Sequence, residues 1–88
     1  MSNANSFVKA LKEAGVFIEN ESRLIREMDS SDDQNAAFER ACTKFSSGGT
    51  VKFIADPSLD SKPVSKAFSD HNLDGFSFRT FAENLKPA

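Results

Sequence analysis

The run Thr50-Val51-Lys52-Phe53-Ile54-Ala55 (TVKFIA), set between Gly48-Gly49 and Asp56-Pro57, decides the fold class of this chain. Its β-branched and aromatic residues and its turn-forming borders are those of a strand. A strand needs a partner, because its backbone groups must be hydrogen-bonded. Two candidates are at hand: the short β-prone run Val16-Phe17-Ile18, or Thr43-Lys44-Phe45 folding back across the glycines as a hairpin. If TVKFIA pairs, the fold is α+β and predominantly helical, with four to five short amphipathic helices and one or two short strands. If it does not, the alternative is an all-α bundle.

Everything outside this run reads as helix or turn. Immediately upstream, Phe38, Ala41, Cys42 and Phe45 fall at i, i+3, i+4 and i+7, which predicts a helix reaching about Phe45 and stopped by Gly48 and Gly49. Ser31 followed three residues later by Gln34 is a capping-box pattern for its start, with Asp32 and Asp33 at the positive end of the dipole. Further upstream, Phe7, Val8, Leu11 and Ala14 predict a helix over about 6–14, with Asn5 or Ser6 as N-cap and Gly15 as its stop. Leu24, Ile25 and Met28 resume helical spacing, so Val16 to Ile18 is read as an element of its own rather than the kink of one long helix. Downstream, Pro63 sits near the start of a helix carrying Val64, Ala67 and Phe68 and ending near His71. A last helix carries Phe78, Phe81, Ala82 and Leu85, with Ser77 as its N-cap and Pro87 as its end.

With 88 residues the chain has room for one domain, over 1–88, and its 39% apolar and 27% charged residues are ordinary for a chain that folds alone. All nine aromatics are Phe, which favours a greasy core over a surface of the kind where Trp and Tyr add a polar tip to an apolar face. A net charge of −2 gives no strong field toward nucleic acid or anionic lipid. The single cysteine, Cys42, cannot form an internal disulfide and suits a reducing compartment. The polar start from Met1 to Ser6 lacks signal-peptide character, and no apolar run approaches the roughly 20 residues a bilayer requires. The expected location is the cytoplasm, without membrane contact. Short acidic chains of this kind are common among phage, plasmid and accessory genes.

Several local patterns resemble chemistry and have plainer accounts. Asp70-His71-Asn72-Leu73-Asp74-Gly75 matches the first six positions of an EF-hand calcium loop, but Phe81 stands where the loop needs its bidentate Glu, and Ser77 where it needs an apolar residue. Asn, Asp and Gly also form turns between helices without any metal. His71 is the only histidine and has no evident nucleophile beside it in sequence, while Cys42 on an apolar helix face reads as a small buried hydrophobe. Ser46 to Thr50 with Lys44 and Lys52 has the composition of a phosphate loop in the reverse order of elements. Lys44, Phe45, Lys52 and Phe53 interleave basic and aromatic residues as single-strand nucleic-acid surfaces do. Asp29, Asp32 and Asp33 could dock on a basic partner, but helix capping explains them without one.

No paired-carboxylate, metal or nucleophile signature is present, so the expectation is a non-enzymatic interaction or regulatory protein without cofactor or metal. It would present a helical face to a protein partner or to a second copy of itself. The candidate faces are Leu24, Ile25 and Met28 beside Arg23 and Arg26, and Phe78 with Phe81. The alternatives are a nucleic-acid module using Lys44, Lys52 and Arg40 about the glycine turn, and a degenerate calcium-loop protein built on Asp70 to Asp74.

Overall fold

A computed structural model describes residues 3–42 and 50–87 of the chain. Within them the order is α1 (Asn3–Glu13), β1 (Val16–Glu19), α2 (Glu21–Asp29), α3 (Gln34–Ala41), β2 (Lys52–Ala55), α4 (Ser61–Asp70), α5 (Gly75–Glu83) and β3 (Leu85–Pro87). The fold is α+β and predominantly helical. TVKFIA supplies β2, the middle strand of a three-stranded sheet of order β1-β2-β3. Its antiparallel partner is β1, with Val16 opposite Ala55, Phe17 opposite Ile54, Ile18 opposite Phe53 and Glu19 opposite Lys52. The hairpin alternative falls on Thr43, Lys44 and Phe45, which lie outside the described residues.

The third strand is a correction to the sequence reading, which ran the last helix up to Pro87. The α5 helix closes instead at Asn84, and Leu85, Lys86 and Pro87 pair in parallel with Phe53, Ile54 and Ala55. Parallel pairing requires a crossover, and α4 and α5 provide it. Three residues are too few for a periodic signal, so only the return of the chain beside β2 makes this segment a strand.

Helix ends also differ from expectation, each for a local hydrogen-bonding reason. Both α3 and α5 are capped by a residue other than the one expected. Asp33, not Ser31, caps α3 by accepting from the Ala36 N–H at 3.1 Å. Gln34 does not close a capping box; its amide donates to the carbonyls of Met28 and Ser31 at 2.9 and 2.8 Å. Asp74, not Ser77, caps α5, accepting from the N–H groups of Phe76 and Ser77 at 3.0 and 3.2 Å. At the other end of α3, where Cys42 is the C-cap, the Ala41 carbonyl accepts from the Val51 N–H at 3.0 Å, and the expected reach to Phe45 lies outside the described residues. The α1 helix begins at Asn3, which places Asn5 and Ser6 inside it.

Gly15 stops α1 with a positive φ of 99°, a backbone state costly for any residue with a Cβ. The turn it makes is also a clamp: the Gly15 carbonyl accepts from the Asp56 N–H at 2.8 Å and the Ala14 carbonyl from the Asp60 N–H at 3.2 Å. The loop joining β2 to α4 thereby lies against the α1–β1 turn. A Cβ at Gly15 would stand 2.9 Å from the Leu59 Cα, so glycine is required there on two counts.

One phenylalanine from each of five elements builds the core: Phe7 of α1, Phe38 of α3, Phe53 of β2, Phe68 of α4 and Phe81 of α5. Phe7 meets Phe68 edge-on at 5.1 Å, Phe38 stacks on Phe53 at 5.7 Å, and Phe81 lies 4.9 Å from Phe53 and 5.2 Å from Phe68. Aromatic pairs at these separations add about 0.5–1.5 kcal/mol beyond the area they bury. A hydroxyl or indole N–H in this interior would need a polar partner. That is the physical reason an all-Phe aromatic complement suits it.

Candidate functional site

Strand parity divides the sheet into a wet and a dry face. Along β1 the side chains alternate buried and exposed, so Val16 and Ile18 enter the core while Phe17 and Glu19 face outward. The register carries the same division across the sheet. Phe17 of β1, Ile54 of β2 and Lys86 of β3 form one outward row, and Glu19 opposite Lys52 stands beside it. Phe53 and Leu85 turn inward with Ile18. Phe17 is 63% exposed, the most exposed large apolar residue described. Ile54 next to it is only half-buried. The site is thus an apolar ridge of Phe17 and Ile54 flanked by Lys86, Lys52 and Glu19.

The faces expected from the sequence to dock a partner are core faces, which is a second correction. Leu24 and Met28 of α2 are buried in the main cluster, and Ile25 packs against it. Arg23 beside them is buried too, with its Nη2 3.8 Å from a carboxylate oxygen of Glu27 and its Nε without a hydrogen-bond partner among the described residues. Arg26 alone of that group is exposed. On α5, Phe81 is buried, and Phe78 packs against Phe68 and Phe81 at 5.3 and 5.8 Å. An amphipathic face identifies the side that meets apolar surroundings, and in a chain this short that side is needed for the core.

Of the basic residues near the glycine turn, Lys52 belongs to the open sheet face, Arg40 pairs with Glu27 at 3.1 Å, and Lys44 lies outside the described residues. Phe53, interleaved with them in sequence, is fully buried.

The EF-hand-like run works as a turn. Asp70 pairs with Lys66 at 2.9 Å, Asn72 takes a left-handed conformation with φ 65°, and the Asp74 carboxylate is engaged as the α5 cap. Asn35 of α3 holds this turn: its Oδ1 accepts from the Asp74 N–H at 2.9 Å and from the Ser77 hydroxyl at 2.5 Å. Asn3 of α1 adds a donation to the His71 carbonyl at 3.1 Å. His71 Nδ1–H donates to the Ala67 carbonyl at 2.6 Å, and its ring leans on Phe7. Among the described residues no three His, Cys, Asp or Glu side chains come together as a metal site.

Burial pushes the Cys42 thiol up from 9.0 to about 12, with the Glu39 carboxylate adding to the effect, so it is a thiol and not a thiolate near neutrality. Asp56 is shifted the other way, because the Ser58 N–H and hydroxyl both donate to its carboxylate at 2.9 and 2.7 Å. Its effect is to close the loop before α4. Among the described residues no helix is long and apolar enough to cross a membrane. No protein-family model, curated protein or solved structure matches this chain.

A period-two reading of Val16-Phe17-Ile18-Glu19 would have located the ridge. Taking the first three as an undivided β-prone run hides it, because Phe17 then looks like one more core residue.

Proposed function

We propose that this protein is a non-enzymatic interaction module that docks a protein partner on the open face of its sheet, with Phe17 as the anchor. The observation that carries this reading is Phe17 itself, outward-facing on a strand whose neighbours on both sides are buried. Fully burying an exposed Phe side chain is worth about 1.5–3 kcal/mol, of which Phe17, at 63% exposure, has the larger part still to gain, and aromatic residues are enriched at the centres of interfaces. Lys52, Lys86 and Glu19 then form a polar rim that sets orientation more than affinity.

The test is capture with a photo-crosslinking phenylalanine analogue at position 17, and at position 76 as control, since Phe76 of α5 is the other largely exposed aromatic. Crosslinks specific to position 17, lost in a Phe17→Thr/Ile54→Thr variant that still folds, support the reading; threonine retains the strand preference. Equal crosslinking from both positions, or capture that survives the double substitution, overturns it.

A second reading rests on Lys52 and Lys86 sharing the outward sheet face with Phe17, where Lys86 follows Ile54 along the row and Lys52 stands opposite Glu19. An exposed ring on a face that also carries ammonium groups can stack a base while they meet phosphate. Crosslinking to nucleic acid at position 17 that disappears with nuclease and weakens with salt would establish that reading in place of the first.

A further inference from the structure

We propose that a hollow between α4, α5 and β3, on the other side of the sheet from Phe17, is a binding site for one small neutral apolar molecule with the bulk of an aromatic ring. The hollow has a volume of about 170 Å³ and is lined by apolar side chains except for Ser61. Val64 and Phe81, both buried in the core, form its floor. Leu59, Phe78 and Leu85 form its walls, and these three are partly buried residues packed against the core. Ala82 and Ser61 are exposed at its rim.

Size and chemistry both select the ligand. An apolar space of about 150 Å³ admits benzene, so this hollow, open at its mouth, has room for a single ring or a branched aliphatic of similar bulk. A water molecule inside would need two to four polar partners, and the one polar side chain of the lining is Ser61 at the exposed rim. An anion is disfavoured as well. The nearest positive end of a dipole, at the start of α4, is already capped by the Asp60 carboxylate, which accepts from the Lys62 N–H at 3.1 Å. The occupant therefore carries no charge, and its binding completes the burial of Leu59, Phe78 and Leu85. Leu85 is also the inward-facing residue of β3 opposite Phe53, so the ligand would hold that strand in place.

The experiment is a titration of the whole chain with benzene and, separately, with benzoate, followed by the methyl resonances of Val64, Leu59 and Leu85. Saturable shifts confined to these methyls, with a dissociation constant on the order of 0.1–1 mM for a six-atom ligand, are expected for benzene, with benzoate at least tenfold weaker. Ala82→Leu, at an exposed helix position, should fill the mouth and weaken benzene at least tenfold; Ala82→Met gives a second route to the same loss. Shifts that do not saturate, that lie elsewhere, that survive in both folded variants, or that benzoate reproduces at equal concentration would overturn the proposal. None of these outcomes bears on Phe17, so the docking reading stands or falls separately.

Discussion

Cys42 shows how a single residue can be chemically quiet because of where the chain puts it. Its sulfur sits at the C-cap of α3, enclosed by the core, and desolvation reinforced by Glu39 raises the thiol to about 12. The linkage has a definite sign. A thiol whose native pKa lies above its unfolded value of 9.0 stabilises the fold fully below pH 9, and that contribution is lost as pH rises toward 12. Between those limits stability should fall by at most about 1.4 kcal/mol per pH unit from this group. Urea unfolding from pH 8 to 11 should therefore show a steeper decline for the wild type than for Cys42→Ala, and a thiol reagent at pH 8 should react slowly until urea is added. Parallel declines would show that the sulfur is not desolvated as described.

At the scale of elements, α3 and α5 are capped by the carboxylates of Asp33 and Asp74, and not by the serines that spacing alone suggests. Asp74 satisfies two of the first N–H groups of α5 and is itself fixed by Asn35 through its backbone. Removing that cap in Asp74→Ala should lower stability by about 1 kcal/mol, read as a lower urea midpoint with unchanged slope. Asp74→Asn should recover most of the loss, since the amide oxygen can still accept. A calcium ligand at this position would behave differently, because the loss would then depend on added calcium. Ser77, which spacing suggests as the cap, is instead buried inside the helix with its hydroxyl on Asn35. That contact joins residues 42 positions apart and has no local signature.

At the scale of the whole molecule, the five-ring core and the outward ridge assign opposite fates to the same residue type. Phe38 lies between Phe7, Phe53 and Phe68 at 6.1, 5.7 and 5.5 Å. Phe38→Ala should cost about 3–5 kcal/mol, a large share of the roughly 5–15 kcal/mol by which domains are stable, and leave the chain unfolded or with broad, weakly cooperative melting. Phe17→Ala should leave the melting curve nearly unchanged, because its ring is mostly in water. A comparable loss in both variants, measured by circular dichroism, would mean that the sheet face is covered and not open.

The sequence by itself determined the helical majority of the fold, the strand character of Lys52–Ala55, the separation of Val16 to Ile18 from the helices around it and the stop at Gly15. All of these rest on propensities and periods contained within a few neighbouring residues. Tertiary structure alone decided the rest. The pairing that makes the class α+β came from the register of β1 on β2. Leu85 to Pro87 became a strand only because the α4–α5 crossover returned it beside Phe53. Leu24, Met28 and Phe81, which share apolar helix faces with the spacing of docking surfaces, were drawn into the core because the sides of α2 and α5 that carry them meet the rest of the chain. Phe17 was left outside by its parity with Val16 and Ile18. Periodicity states which residues share a side of an element; which side meets the core depends on residues far away in sequence.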